Sequence, residues 1–426
     1  MKNILVFPCG SEIGLEIHRT VRYSTYFHLI GASSVPDHGQ YVFSDYIGDV
    51  PMLGDDRFIP TSRKIVSERR IDAIYPAMDA VLTVLKQNEA ELGCKIITSP
   101  VETTKICLSK RKTYAALAGV IRLPRIYQLH EAKTFPVFLK PSIGYGAKGT
   151  QIVGTQSELE AFLSDKTEDY LILEYLPGKE YTIDCFTDRH GELRFAAGRQ
   201  RNRVCNGISV NTTFAANQRK FKQIAETINQ NLSFRGAWFA QVKQNVNGEL
   251  CLLEVAARFG GSSGLAHAIG VNFAQLSLFD AFDYEVDLVR NNFSVSMDRA
   301  LDCRYHCNIQ YDTVYVDYDD CILLEKSRLN VKMISFLVQC INHKKHIILL
   351  SKHDGNLEES LDTYRIRTLF DEIIHIEQGK NKYEYIKIDN AIFIDDSYVE
   401  RKAIKKKCQI AVFSPDMIDV LLEEEE

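Results

Sequence analysis

Alternating apolar and polar positions mark a hairpin within residues 238–258. Two such segments flank Asn247-Gly248. This dipeptide favours a two-residue type I′ turn, because both central residues must take positive φ. Centring the turn there places Gln241 opposite Glu254 on one face, with side chains about 5 Å apart. An amide oxygen and a carboxylate at that separation suit Mg²⁺, and an ordinary hairpin with a polar face is the alternative interpretation.

Short apolar runs alternate with helix-period patterns over residues 1–100, which indicates a small parallel α/β unit. Gly10 and Gly14 in the first turn lack the full dinucleotide-binding spacing, and a tight strand-to-helix turn explains them without a ligand. Asp79 follows a strand, where it either reaches a ligand or caps the next helix. The predicted strands are 4–7, 73–75 and 95–98, and the predicted helices are 13–23 and 79–92.

A glycine-rich loop follows an apolar strand that ends at Lys140. The bare backbone N–H groups of such a loop can approach phosphate oxygens, while Lys140 and Lys148 supply positive charge. The pattern predicts either a phosphate-binding loop or a mobile hairpin with solvated lysines. The loop residues concerned are Gly144, Gly146, Lys148 and Gly149.

Polar residues near later strands extend this candidate site. Glu174 and Glu180 flank a Pro-Gly turn, where they either serve polar recognition beside an apolar slot or are solvated. Arg199, Arg201 and Arg203 share one face if their segment is extended, which gives either a local anion patch or a solvated face. Further helices are predicted at 104–119 and 217–231.

In this order, the motifs resemble the ATP-grasp superfamily over about residues 1–295, and most closely its carbamoyl-phosphate-synthase-like members. The resemblance implies ATP and Mg²⁺ (or Mn²⁺) as cofactors. It also implies activation of a small-molecule carboxylate as an acyl phosphate, which an amine or similar nucleophile then attacks. The residues implied to contact the nucleotide are Lys110, Lys140, Gly144, Gly146, Lys148, Gly149, Glu174, Tyr175, Leu176 and Glu180.

The same resemblance assigns roles within and after the hairpin. Gln241 and Glu254 match the Mg²⁺ ligands, and Arg258 matches the catalytic contact to phosphate or acyl phosphate. One position departs from the family pattern, because Ala256 stands where the family has an asparagine ligand. Reduced two-metal binding, or a water in place of that side chain, is therefore expected.

A second α/β pattern begins at Thr313. Asp317 and Asp319 follow a strand and fall on the same side of the chain, by the period-2 rule. Ser351 and the pair Asp395-Asp396 also end strands, so acids and a hydroxyl gather at strand carboxyl ends. The predicted strands are 314–316, 346–350 and 391–394, and the predicted helices are 330–342 and 356–369.

This second pattern resembles the haloacid-dehalogenase (HAD) phosphatase superfamily over residues 313–426. The resemblance implies Asp317 as the nucleophile that forms an aspartyl phosphate and Asp319 as the general acid/base. Ser351 would hold the phosphoryl group, and Lys382, or alternatively Lys380, would balance its charge. The implied Mg²⁺ ligands are Asp317, Asp319, Asp395 and Asp396.

Two features qualify the second resemblance. Cys321 replaces the usual threonine of the first motif. Thirty-one residues separate Asp319 from Ser351 and 30 separate Ser351 from Lys382, which leaves no room for a cap domain.

A length of 426 residues implies two to four domains. The expected fold class is multidomain, combining α/β and α+β. We expect an α/β pre-ATP-grasp domain at 1–100, an ATP-grasp domain at 101–295, a linker at 296–312 and a capless Rossmann-like HAD domain at 313–426.

Charge and cysteine usage limit the partners. The net charge of −5 gives no global basic field for nucleic acid or anionic membrane, and no apolar run is long enough for a membrane span. Eleven scattered cysteines and the lack of a signal segment favour the cytoplasm. Cys303, His306 and Cys307 lie close together, but no second Cys/His pair at finger spacing supports a zinc site.

The two resemblances imply a carboxylate ligase fused to a phosphohydrolase that acts on small-molecule substrates and that can form homo-oligomers. The alternative is a nucleotide-binding scaffold or regulator in which one or both halves lack catalysis.

Overall fold

The computed structural model describes residues 1–144, 146–300, 305 and 308–423. The chain forms two compact units, residues 1–301 and 302–425, here called unit 1 and unit 2. Within the described part of the chain, no helix combines the length and the apolar character needed to cross a bilayer.

Unit 1 begins with a parallel sheet that has helices in its connections. Its strands are β1 (Lys2–Phe7), β2 (Phe27–Ala32), β3 (Tyr46–Ile47), β4 (Ala73–Pro76) and β5 (Lys95–Ile96), and its helices are α1 (Glu12–Val21), α2 (Phe58–Glu68), α3 (Asp79–Gln87) and α4 (Glu89–Leu92). The five strands run in the order β3-β2-β1-β4-β5. The predicted strands 4–7 and 73–75 are confirmed, whereas the strand predicted at 95–98 ends at Ile96. Strands β2 and β3 and helix α2 are additions, and the predicted helix 79–92 is divided at Asn88.

Local packing explains the glycines of the first turn. Ser11 caps α1 by accepting a hydrogen bond from the Gly14 N–H. A Cβ on Gly14 would lie 2.4 Å from the Cys9 carbonyl oxygen, and one on Gly10 would lie 2.1 Å from the Asp37 carboxyl carbon. Contacts between protein atoms therefore account for both glycines.

A four-stranded antiparallel sheet follows in the order β6-β9-β7-β8. Its strands are β6 (Ile126–Tyr127), β7 (Val137–Pro141), β8 (Gln151–Val153) and β9 (Tyr170–Glu174), with helices α5 (Val101–Leu108), α6 (Lys110–Leu117) and α7 (Gln156–Ser164). The prediction of one helix over 104–119 is wrong. Ser109 ends α5 and caps α6, so Lys110 becomes the first residue of a new helix.

The third sheet of unit 1 has six antiparallel strands, β10 (Glu180–Thr187), β11 (Leu193–Cys205), β12 (Ile208–Phe214), β13 (Gly236–Gln244), β14 (Leu250–Ala256) and β15 (Ser296–Asp298). They are ordered β14-β13-β10-β11-β12-β15. Helix α8 (Gln218–Asn231) packs on one face over Trp238, and α9 (Gly264–Ala268) and α10 (Phe273–Ala281) follow the hairpin. Strand β15 lies inside residues 296–312, which the sequence assigns to a linker.

Unit 2 contains a parallel sheet of five strands, β16 (Thr313–Val316), β19 (His346–Ser351), β20 (Glu372–His375), β21 (Ala391–Ile394) and β22 (Ala411–Phe413). A small hairpin pairs β17 (Leu323–Leu324) with β18 (Arg328–Leu329), and the helices are α11 (Val331–Asn342), α12 (Leu357–Thr363) and α13 (Tyr398–Cys408). The sheet order is β20-β19-β16-β21-β22. Strands β20 and β22 are additions to the predicted pattern, and the helix predicted at 356–369 ends at Thr363.

Candidate functional sites

The β13–β14 hairpin confirms the predicted register but not the predicted turn. Gln241 pairs with Glu254 across the ladder. The Gly248 N–H bonds the Asn245 carbonyl at 3.0 Å, and Gly248 takes φ +76° while Asn247 does not adopt positive φ. The type I′ prediction is therefore wrong, because the turn is one residue longer and ends in a left-handed glycine.

A β-bulge compensates for the longer turn. The register shifts between Gln241 and Val242, so Leu253 has no ladder partner on β13. Its carbonyl oxygen accepts hydrogen bonds from Lys140 Nζ at 2.7 Å and from the Tyr114 hydroxyl at 2.9 Å. The bulge thus restores the Gln241–Glu254 pair and supplies an acceptor for two buried side chains.

Sheet register places polar residues in one row across four strands. Glu254 pairs with Gln241, Gln241 with Thr182, and Thr182 with Arg199. Residues that are directly paired point to the same face of a sheet. One face of the six-stranded sheet therefore presents a carboxylate, an amide, a hydroxyl and a guanidinium side by side.

This face borders a cavity of about 280 Å³. The four-stranded sheet contributes Lys140 and the apolar residues Phe138, Ile152 and Leu173 to its lining. The lining residues that the sequence predicts as site residues are Lys110, Lys140, Gly144, Gly146, Lys148, Glu174, Tyr175, Leu176, Glu180, Gln241 and Glu254. Gly149, which is also a predicted nucleotide contact, is not among the described residues that line this cavity.

Lys140 is a buried cation at the wall of this cavity, with 5% of its surface exposed. Its Nζ donates to the Tyr114 hydroxyl at 2.9 Å as well as to Leu253. Burial lowers the pKa of Lys140 to about 7, against the opposing charge of the Glu254 carboxylate. An anion in the cavity would favour the protonated form.

Lys110 lies between the hairpin and the glycine loop. Its Nζ is 3.9 Å from Glu254 Oε2 and donates to the Gly144 carbonyl at 2.8 Å. Gly146 and Gly149 take φ +60° and +72°, and a Cβ on Gly207 would lie 2.6 Å from the Gly146 carbonyl carbon. The glycine loop therefore packs closely against the β11–β12 turn.

The three arginines of β11 reach different partners and do not form one patch. Arg199 is buried and donates from Nε to Asp184 Oδ2 at 2.6 Å. Arg201 lines the cavity, with Nη1 3.2 Å from Glu180 Oε1, and burial lowers the pKa of its guanidinium. Arg203 is exposed. The sequence pattern thus contributes one arginine, Arg201, to the cavity lining.

Arg258 also has a partner within unit 1. Its Nη2 donates to Asp79 Oδ2 at 2.7 Å, and its guanidinium carbon lies 5.4 Å from the centre of the Phe239 ring. Neither residue of this ion pair is among the described residues that line the cavity. Ala256 pairs with Phe239, so the hairpin face beyond Gln241 and Glu254 is apolar.

The acids of unit 2 surround one buried lysine. Lys382 Nζ lies 2.8 Å from Asp317 Oδ1 and 2.6 Å from Asp395 Oδ2. Although burial opposes it, the charges of Asp317 and Asp395 raise the pKa of Lys382. Lys380 instead lies 3.6 Å from Glu377 at the surface, so the structure brings Lys382 to the acids.

Asp317 and Asp396 can share an ion. One ligand atom each from Asp317, Cys321 and Asp396 lies within 4.8 Å of the others. Burial raises the pKa of Asp396, with a further contribution from the Asp317 charge. The Asp395 carboxylate is occupied by Lys382 and by the Ser397 N–H at 2.7 Å.

Ser351 and Asp319 complete the strand ends. Ser351 is fully buried, and its hydroxyl oxygen lacks a hydrogen-bond partner among the described residues. Asp319 contacts His353, whose Nδ1 lies 2.9 Å and 3.0 Å from the two carboxylate oxygens. Sequence reasoning missed His353, although its place two residues after Ser351 at a strand end was a usable signal. Cys303, His306 and Cys307, for which the sequence does not support a zinc site, lie outside the described residues.

One family model matches part of unit 1. Residues 166–301 match the family described as "ATP-grasp in the biosynthetic pathway with Ter operon". The arginine-specific large chain of carbamoyl phosphate synthase from Bacillus subtilis is 31% identical over 136 residues. That alignment covers 29% of this chain and 13% of that protein, so this chain spans only a small part of its relative.

Two solved structures share the fold. Biotin carboxylase from Campylobacter jejuni, in complex with β,γ-ATP, has a TM-score of 0.58 at 15% identity, covering 67% of this chain and 72% of that one. L-amino acid ligase from Bacillus licheniformis has a TM-score of 0.54 at 18% identity, covering 66% and 74%. The two structures show a shared fold, and the family match over residues 166–301 supports the predicted ATP-grasp superfamily.

Proposed function

We propose that unit 1, part of which matches an ATP-grasp family, is an ATP-dependent carboxylate ligase. The observation that carries this proposal is the shared cavity, in which Lys110, Lys140 and Arg201 line the same space as the Gln241–Glu254 pair. Cations beside oxygen ligands suit a polyphosphate that binds together with a divalent metal. Biotin carboxylase from Campylobacter jejuni, a structural neighbour, is known as a complex with β,γ-ATP, which agrees with this chemistry.

The proposed reaction has two steps. A substrate carboxylate oxygen attacks the γ-phosphorus of ATP, the bond to the bridging oxygen breaks, and ADP leaves. The nitrogen of an amine, or a similar nucleophile, then attacks the acyl carbon, phosphate leaves with its bonding pair, and the amine loses a proton. Lysine and arginine charges stabilise the transferring phosphoryl group.

The residues of the hairpin fit a magnesium ion. Gln241 and Glu254 are paired and both line the cavity, so one amide oxygen and one carboxylate are available. Mg²⁺ (or Mn²⁺) bound there would neutralise phosphate charge and take its other ligands from water and substrate. Ala256 offers no side-chain ligand on this face.

The remaining roles follow the family resemblance. Glu174 to Leu176 would line the adenine slot, Glu180 would bind the ribose, and the 144–149 loop would cover the phosphates. Arg258 would contact phosphate or acyl phosphate, which requires it to exchange Asp79 for the ligand.

The test of ligase function is turnover that depends on two added substrates. Incubation with ATP, Mg²⁺ and paired carboxylic acids and amines should release ADP and phosphate and form a ligated product. Glu254→Gln should lower this rate by about 10²-fold or more. Glu249→Gln, which changes a half-buried glutamate near the same turn, is the matched control.

One result would favour the alternative of a nucleotide-binding scaffold. If Glu254→Gln weakens ATP binding, but the wild type releases no ADP with any pair of acid and amine, the ligase proposal is contradicted.

The acid cluster of unit 2 favours a second activity, a magnesium-dependent phosphohydrolase of the HAD type. Asp317 Oδ would attack the phosphorus of a phosphomonoester, and the bond to the leaving oxygen would break as Asp319 supplies a proton. Water would then attack the aspartyl phosphate, lose its proton to Asp319, and release phosphate and free Asp317.

The other residues of the cluster would support these steps. Ser351 would donate to a phosphoryl oxygen, and Lys382 would balance the negative charge. Mg²⁺ held by Asp317 and Asp396 would offset the charge of the phosphate, and the span of 4.8 Å among their ligand atoms fits one ion.

Phosphate release from a panel of phosphomonoesters tests this activity. Asp317→Asn should abolish release, while Asp312→Asn, an exposed aspartate before β16, should not change it. Equal activity of the wild type and Asp317→Asn would contradict the proposal.

A further inference from the structure

A histidine holds the carboxylate of Asp319 from one side. The Nδ1 atom of His353 lies 2.9 Å from Asp319 Oδ1 and 3.0 Å from Oδ2, so one ring nitrogen contacts both oxygens. A carboxylate only accepts hydrogen bonds, and Nδ1–H is then the donor; when Asp319 carries the proton, the roles reverse. The contact is therefore available in both protonation states of the carboxyl group.

The imidazole ring is itself held in place. The ring of Tyr318 meets it edge-on at 5.2 Å between ring centres, and the Tyr318 hydroxyl is 2.8 Å from the Ser360 hydroxyl. Tyr318 is fully buried, and 13% of the His353 side chain is exposed. Packing on this scale restricts the ring to one orientation.

The backbone under the histidine is also fixed. His375 Nε2 lies 2.8 Å from the His353 carbonyl oxygen, and Gln378 Nε2 donates to the Lys352 carbonyl at 2.7 Å. These contacts tie the segment after β19 to the last residue of β20 and to the segment that follows it. His353 therefore rests on an anchored loop.

The Asp319 side chain has more conformational freedom than that of Asp317. Asp317 lies against Lys382 and has 10% of its side chain exposed, whereas Asp319 has 35% exposed. A partly exposed carboxylate samples several side-chain rotamers unless a contact restricts it. The contact that the structure supplies is His353.

We propose that His353 is a positioning residue that orients Asp319 for proton transfer in the phosphohydrolase reaction. This inference rests on the function proposed for unit 2. In the first step the leaving oxygen takes the proton of Asp319 as its bond to phosphorus breaks. In the second step the Asp319 carboxylate takes a proton from the water that attacks the aspartyl phosphate.

Leaving-group dependence separates positioning from a general structural role. p-Nitrophenolate is a stable anion that needs little protonation as it leaves, whereas the alkoxide from benzyl phosphate needs a proton in the transition state. In the full-length protein, His353→Ala should lower kcat for benzyl phosphate by about 10²-fold and kcat for p-nitrophenyl phosphate by only a few-fold. KM for both substrates should stay within about twofold of the wild-type value, because the substitution removes no residue that is proposed to bind the phosphoryl group.

Two further variants sharpen this test. His353→Asn keeps an N–H donor and should recover part of the benzyl phosphate activity. His343→Ala removes an exposed histidine at the end of α11 that lies 3.6 Å from Glu423, and it should match the wild type. Thermal melting of each variant identifies any loss of folding.

The outcomes are distinct. Equal losses of kcat on the two substrates in folded His353→Ala, or no loss on either, would overturn the positioning role while leaving the phosphohydrolase proposal intact. If the wild-type protein hydrolyses no phosphomonoester, or if Asp317→Asn hydrolyses them equally well, both the proposed function and this inference are overturned.

Discussion

In unit 1 the charged residues of the cavity come from antiparallel strands, loops and a helix start, whereas in unit 2 they gather at the ends of parallel strands. Of the described residues that line the unit 1 cavity, five are basic (Lys110, Lys140, Lys148, Arg201 and Lys243) and three are acidic (Glu174, Glu180 and Glu254). Around Lys382 in unit 2 the balance is reversed, since acids surround one cation. A cation-rich cavity favours a polyanion directly, whereas an acidic cluster needs a metal ion before phosphate can approach.

Removing the lysine of the acidic cluster should have the largest effect on stability. Lys382 is 3% exposed and lies between Asp317 and Asp395, so Lys382→Met leaves two buried carboxylates without a counter-charge. Breaking a buried ion pair from one side typically costs about 3–5 kcal/mol. We expect the melting temperature of unit 2 to decrease sharply, which calorimetry of the full-length chain would measure.

A double variant provides the control for this effect. Lys382→Met with Asp395→Asn removes one of the uncompensated charges and should regain part of the lost stability. A melting temperature that is unchanged in Lys382→Met would contradict the picture of a cluster held by its lysine.

The paired hairpin residues show how much the sequence could predict. Centring a two-residue turn on Asn247-Gly248 predicts the pairing of Gln241 with Glu254, and the structure contains this pair. The turn type was wrong, yet the bulge at Leu253 restored the register. The Leu253 carbonyl at this bulge accepts hydrogen bonds from Lys140 and Tyr114, which are distant in sequence, so the hairpin pattern alone does not reveal the bulge.

Contacts between distant segments explain the other differences. Arg199, Arg201 and Arg203 have the spacing of one face, but Asp184 forms an ion pair with Arg199 and Glu180 with Arg201, which neutralises their charge. The acids of unit 2 could be placed at strand ends because parallel strands align their carboxyl ends. The choice of Lys382 over Lys380 depended on burial within the folded unit, which spacing alone does not reveal.

The second largest effect concerns the pH dependence of nucleotide binding. Burial lowers the pKa of Lys140 to about 7 in the free protein, and a bound polyphosphate would raise it by stabilising the charged form. Binding then takes up a proton above pH 7, so affinity for ATP is full below pH 7 and falls as pH rises towards the pKa of the complex. The slope should approach tenfold per pH unit in this window.

Calorimetry in buffers of different ionisation enthalpy measures this proton uptake directly. Lys140→Met should bind ATP more weakly and should lose the uptake. Proton uptake that is the same in wild type and Lys140→Met would assign the pH dependence to another group.

A smaller effect is expected from Tyr114→Phe. The Tyr114 hydroxyl lies 2.9 Å from both Lys140 Nζ and the Leu253 carbonyl, and its ring is 1% exposed. The variant keeps the ring but removes one hydrogen-bond partner from Lys140 Nζ and one from the Leu253 carbonyl. The direct hydrogen bond between Lys140 and Leu253, at 2.7 Å, remains. We expect a loss of about 1–2 kcal/mol in the free energy of unfolding and a few-fold weaker ATP binding.

Denaturant unfolding and ATP titration measure the two changes. Tyr181→Phe alters a tyrosine on β10 whose ring packs on Phe221, and it serves as a control for loss of a hydroxyl within unit 1. An unaltered ATP affinity in Tyr114→Phe would mean that the Leu253 carbonyl alone positions Lys140.

The smallest effect distinguishes two arginines on the same strand. Arg203 is 59% exposed and lies 2.8 Å from Asp298 at the surface, while Arg201 is 4% exposed and lines the cavity beside Glu180. Exposed ion pairs are screened by water and salt and contribute little. Arg203→Ala should therefore leave both the melting temperature and ATP binding at wild-type values. Arg201→Ala should weaken ATP binding by about tenfold or more, since it removes a buried positive charge from the cavity lining. Equal effects of the two substitutions on ATP titration would mean that the arginines act as one patch, against the separation of their partners in the structure.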